Sequence, residues 1–138
     1  MQEFKNIIFP AGERASASYF TGNVWVTPLV PREPHNHYSI ADVKFEAGGR
    51  MHWHTHPAGQ VLLVTDGHGF YQEKGKPARR LQRGDVVEIP ADVEHWHGAA
   101  ADNQLIHVAI SNFREQNNVT WLQPVTEEEY NGTLQSEQ

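Results

Sequence analysis

Apolar residues come in short runs, and turn-forming residues separate them. The stretches 23–27, 39–45, 60–65, 70–72, 85–89 and 105–112 are rich in Val, Ile, Leu and Phe. Such residues suit a pleated, half-buried strand. Between them fall Gly48-Gly49, Pro57-Ala58-Gly59, Asp66-Gly67 with Gly69, Gly75 with Pro77, Gly84-Asp85 and Pro90. Gly supplies positive φ and Pro a fixed φ, so these clusters read as turns. No long stretch keeps a helical period. Thr126 with Glu129 three residues on forms a capping box, and Glu127 and Glu128 favour a helix N-terminus. The pattern predicts one short helical turn there, followed by a polar, flexible tail over about 131–138.

Many short strands with regular turns specify an all-β sandwich or barrel. A chain of 138 residues is the size of one domain, 1–138. The run Gln60-Val-Leu-Leu-Val-Thr65 is apolar on both faces. One face would line the barrel interior, and the other needs a second sheet or a second copy of the chain. The expectation is a homodimer.

Composition narrows the chemistry. A formal net charge of −6 opposes binding to a phosphate backbone, so no nucleic acid is expected as a partner. No apolar run reaches the ~20 residues that span a bilayer, so no membrane is expected either. The first residues show no charged stretch followed by an apolar one, which points to the cytoplasm. With Cys at 0, disulfides, thiolate metal sites and thiol nucleophiles are excluded. Histidine is the outlier, with 9 residues.

Two segments concentrate the histidines. In Met51-His-Trp-His-Thr-His56, alternate residues of a strand share a face about 6.6 Å apart. His52, His54 and His56 would then lie on one face, with Trp53 and Thr55 on the other. After the Pro57–Gly59 turn, Gln60 opens a return strand that can bring its amide oxygen to the same point. Downstream, His95-Trp-His97 repeats the pattern, and His107 shares a face with Leu105 and Ala109. Imidazoles at such spacing converge on a metal ion. His35, His37 and His68 sit in turn-like contexts and are expected to be solvated, as are Arg79, Arg80 and Arg83.

These segments resemble the paired motifs of the cupin superfamily. Gly48, His54, His56, Gln60 and Gly67 follow the first motif, with Gln60 where a carboxylate is usual. Gly84, Pro90 and His95 follow the second, with Asp92 where Gly is usual. The motif core spans about 39–112. The resemblance implies a jelly-roll, double-stranded β-helix barrel binding one divalent metal through His54, His56, Gln60 and His95. A neutral Gln60 leaves the ion more of its charge.

A wider set of motifs resembles small bacterial single-domain cupins described alongside carboxymuconolactone decarboxylases. The set comprises Tyr19-Phe-Thr-Gly22, Trp53-His-Thr-His-Pro57, His95-Trp-His-Gly-Ala-Ala100, His107-Val-Ala-Ile110 and Trp121-Leu-Gln-Pro-Val-Thr-Glu127. Some relatives are manganese-dependent hydroxynitrile lyases. That resemblance implies Mn, with Fe, Ni or Zn as alternatives. It implies a small oxygenated substrate polarised by the metal, with His107 or His52 moving a proton. His52 departs from the lyases, which carry a small residue there, and His97 is expected beside the ligands rather than among them. Other readings stay open: an isomerisation or uronate ring-opening, since some cupins of that kind also use a Gln ligand; a metal-dependent dioxygenase; and a non-catalytic barrel binding a sugar or small acid.

Overall fold

The computed structural model describes residues 4–114 and 119–136. In chain order the strands are β1 (Glu13–Arg14), β2 (Phe20–Thr21), β3 (Val24–Val30), β4 (Tyr38–Phe45), β5 (Arg50–Met51), β6 (His54–Thr55), β7 (Gln60–Glu73), β8 (Arg79–Gln82), β9 (Val86–Ile89), β10 (His95–Ala99), β11 (Leu105–Asn112) and β12 (Thr120–Trp121). One helix, α1 (Glu127–Ser136), follows. The strands pair antiparallel in the order β1-β3-β4-β11-β7-β10-β5-β2, with β8 and β9 on β7 and β12 on β6. The sheet curls around an apolar interior that includes Val43, Phe45, Leu62, Val64, Val87, Leu105 and Ala109.

β7 is the hub. Its first part pairs with β9 and β11, and its second with β8 and β10. The sequence predicts two strands here, split by a turn at Asp66-Gly67; the structure has one 14-residue strand. Gly67 absorbs the bend instead, at φ 88°. A Cβ there would lie 1.8 Å from the Gln104 carbonyl oxygen, so only glycine fits. Beside it the pairing slips. Ile106 faces Asp66 but His107 faces Val64, leaving Thr65 as a bulge whose hydroxyl donates to the Ile106 carbonyl at 3.3 Å. Arg79 and Arg80 are exposed as expected, but on β8, where Leu81 is fully buried.

α1 is longer than the single turn predicted and continues past Asn131 to Ser136. Its capping box is formed: Glu129 N–H donates to Thr126 Oγ1 at 3.0 Å, and Thr126 N–H donates to Glu129 Oε1 at 2.9 Å. The extra length is held by packing, since helices in proteins draw most of their stability from tertiary contacts. Tyr130 and Val125 join Trp53, Phe70 and Trp96 in a second cluster outside the barrel. Trp53 and Trp96 thus face away from the histidines, as their alternation predicts.

Candidate metal centre

β6 against β10 puts His95 directly opposite His54, with ring centroids 4.2 Å apart. His56 follows two residues on, its ring 4.9 Å from His54 and 5.4 Å from His95. All three are buried. The expected single face does not extend to His52, because the chain bends between β5 and β6. His52 is buried beside the cluster, and its carbonyl accepts a hydrogen bond from His54 Nδ1 at 2.7 Å.

That bond fixes the chemistry of His54. With Nδ1 donating, the neutral ring carries its lone pair on Nε2. His95 is set the same way by its Nδ1 bond to the Val93 carbonyl at 2.8 Å. Gln60, the first residue of β7, donates from Nε2 to Ser111 Oγ at 2.8 Å, which leaves Oε1 turned away from that partner. Among the described residues, His54 Nε2, His95 Nε2 and Gln60 Oε1 are buried without a hydrogen-bond partner. A buried polar atom left so costs about 1–3 kcal/mol. Two of these lone pairs, on the adjacent rings of His54 and His95, fit a cation.

Deeper in the barrel, His97 Nδ1 and His107 Nε2 lie 3.1 Å apart in a direct hydrogen bond. Both rings are fully buried, and His107 packs at 5.4 Å from Phe45. The ligand atoms of His54, His95 and His97 lie within 4.8 Å of one another.

Burial holds the cluster neutral. It pushes His54 and His97 well below the ordinary histidine range, helped by the neighbouring imidazoles. It lowers His95 to about 4 and His107 to about 3. His52 is also lowered, by burial and then by the Arg50 charge. Neutral imidazole is the form that binds metal.

Sequence reasoning missed Ser111 and gave no role to Trp121 and Tyr19, which it met only within motifs. Ser111 aims Gln60, as described. Trp121 lies opposite His54 across β12 and β6, with its ring 4.9 Å away. Tyr19 stacks on Trp121 at 4.7 Å. β12 is two residues long, too short to leave a periodic signal. His35 and His37 are exposed as expected. His68 is not: it is half-buried, and it lines a polar groove with Asp66, Arg83 and Gln104 at the end of the barrel away from Gln60.

A curled antiparallel sheet enclosing buried imidazoles that could hold a metal ion defines the class as a jelly roll. Residues 41–111 match the cupin domain family, and the chain belongs to that family. It is 38% identical to an (R)-mandelonitrile lyase of Granulicella tundricola, over 93% of this chain and 98% of that one. A cupin-like protein of Thermotoga maritima superposes with a TM-score of 0.90 at 54% identity, covering 93% of this chain and 98% of that chain. A shorter match, 30% identical over 61 residues, joins 41% of this chain to 36% of an acireductone dioxygenase of Bacillus cytotoxicus. No helix among the described residues is long and apolar enough to cross a membrane.

Proposed function

We propose that this cupin is a metal-dependent lyase that cleaves, and in reverse forms, the carbon–carbon bond of small cyanohydrins. The observation that carries this reading is the neutral His97–His107 pair set directly behind the donor cluster. The full-length similarity to the mandelonitrile lyase supports it.

His54, His56, Gln60 and His95 would hold one divalent ion, with Mn(II) the first choice and Fe, Ni or Zn the alternatives. When bound, the ion supplies Lewis-acid polarisation of a hydroxyl or carbonyl oxygen.

The remaining work falls to the chain. The substrate hydroxyl gives its proton to the histidine pair. The O–H electrons close the carbonyl, the carbon–carbon bond breaks, and its electrons leave with cyanide. The same pair then returns the proton to cyanide, releasing hydrogen cyanide and an aldehyde. A lone buried imidazole near pKa 3 resists becoming a cation. The hydrogen bond between the two rings spreads that charge, so the pair holds the proton until it passes to cyanide. The apolar wall of Phe45, Val43 and Leu105 keeps competing water away. His52, beside the cluster but outside the pair, is the alternative proton carrier.

The test is aldehyde release from mandelonitrile and aliphatic cyanohydrins by the Mn(II)-loaded protein. His107→Ala should abolish turnover while keeping its metal, and His52→Ala should retain most of it. No turnover across the panel would sink the reading. The partial match to acireductone dioxygenase favours one competitor, a dioxygenase. Oxygen uptake dependent on an enolic substrate would select it instead.

A further inference from the structure

His54 and His95 belong to two donor sets at once. With His56 and Gln60 they make up the mixed nitrogen–oxygen set that the cupin motifs imply. With His97 they form an all-nitrogen set deeper in the barrel, its ligand atoms within 4.8 Å of one another. The ring of His97 lies 5.6 Å from that of His54 and 5.9 Å from that of His95. Its Nε2 is buried with no hydrogen-bond partner among the described residues. A tetrahedral ion with ~2.1 Å bonds needs nitrogens about 3.4 Å apart, which small ring rotations reach.

Each neutral imidazole has a single lone pair to give. His54 Nε2 and His95 Nε2 therefore serve one ion at a time, and the two sets exclude each other. They also differ in chemistry. A set containing an amide oxygen admits Mn, whereas an all-imidazole set suits Zn, Cu and Ni.

We infer that the barrel holds its ion in either of two positions. Mn(II) takes the outer set with His56 and Gln60, and Zn(II) or Cu(II) takes the inner set with His97. The inference rests on reading this cluster as a metal centre. It has a consequence for the histidine pair. A ligating His97 must keep its proton on Nδ1 and donate it to His107 Nε2, 3.1 Å away. His107 is then locked with its own proton on Nδ1 and cannot accept another. An inner ion thus disables the proton path without touching it.

The experiment measures Mn(II) and Zn(II) dissociation constants of the apoprotein by chelator competition, for wild type, His97→Gln and Gln60→Ala. His97→Gln should weaken Zn(II) about tenfold or more and leave Mn(II) little changed; Gln60→Ala should do the reverse. An unchanged Zn(II) affinity in a folded His97→Gln protein overturns the proposal. Should that variant not fold, ¹⁵N-histidine spectra of the wild type decide. Zn(II) should move the His97 Nε2 resonance, and a stationary resonance overturns the inference. If neither ion binds the wild type, the metal-centre reading has failed, and the inference with it.

Discussion

The guanidinium of Arg50 lies over the ring of Tyr130, its central carbon 4.3 Å from the ring centroid. This contact docks α1 onto the barrel. The Arg50 side chain is 4% exposed, and it also donates to the Val125 carbonyl at 3.3 Å and to Glu127 Oε1 at 3.1 Å. Tyr130 in turn donates from its hydroxyl to the Ala99 carbonyl at 2.7 Å.

These partners should not weigh equally. Tyr130→Ala removes a buried ring and should cost about 3–5 kcal/mol. Tyr130→Phe loses one buried hydrogen bond and should cost about 1 kcal/mol. Glu127 is 79% exposed, so its pairing with Arg50 is largely solvent-screened, and Glu127→Gln should change stability by less than about 0.5 kcal/mol. Urea denaturation of the three variants checks the ranking.

Stability of the metal-free protein should fall with acid. Burial first, against a weaker opposing backbone contact, lowers His107 from 6.5 to about 3. Its folded pKa lies below its unfolded one, so the unfolded chain takes up the proton first. The stability it contributes is fully present above 6.5 and declines as pH drops toward 3. One such proton contributes a slope of at most about 1.4 kcal/mol per pH unit. Denaturant titrations at stepped pH with a chelator present should show this slope, and His107→Phe should flatten it.

Glu129 adds a separate acid dependence. Burial pushes its carboxyl up, but bonds from Thr126 and Trp53 outweigh that and hold it below the ordinary 4.5. With the folded pKa depressed, its contribution is present above 4.5 and is lost as pH falls through the lower folded value. Glu129→Gln should blunt the loss of helical circular dichroism in that range.

Ser111→Ala should weaken Mn(II) binding about tenfold, although Ser111 offers the ion nothing. The serine only holds the Gln60 amide by its Nε2. Without it, the oxygen and nitrogen ends can exchange places. His95→Ala should leave no stoichiometric metal. Metal content by mass spectrometry, with affinities by competition, tests both.

The outer sheet face should join two copies. Val86, Leu63 and Val108 form one cross-strand row, and Val61, Ile110 and Ile40 form the next. Val86 is 56% exposed and the other five are partly so. Sedimentation should report twice the chain mass, and a Leu63→Lys, Val86→Lys double variant should report one. A monomeric wild type would refute the dimer.

Alternation made much of this readable in advance. A His-x-His pair in a strand puts two imidazoles on one face whatever surrounds it, and Thr126 with Glu129 announced a cap that the structure contains. Features set by distant contacts were hidden. Nothing local distinguishes a glycine that ends a strand from Gly67, which bends one. β8 buries only Leu81, too little to register as alternation among arginines. The bend that parts His52 from His54 follows from packing Trp53 under α1, and α1 lasts beyond one turn because Tyr130 is held from the barrel side. His97 looked secondary because its pairing with His107 crosses from one strand to another.

The slip at Thr65 ties two halves of the site to a spacing rule. β7 carries Gln60 below the bulge, and β11 carries both His107 and Ser111. With Ile106 facing Asp66 and a segment of this length, looping out one residue is what stands Ser111 opposite Gln60. Deleting Thr65 would join the two stretches of pairing into one ladder, with Ser111 still opposite Gln60, and would remove the extra twist the bulge puts between them. The bulge thus sets the angle between the end of β7 that carries Gln60 and the end that bends at Gly67, and a change there would reach the candidate centre through the shape of the strand with every candidate ligand left in place.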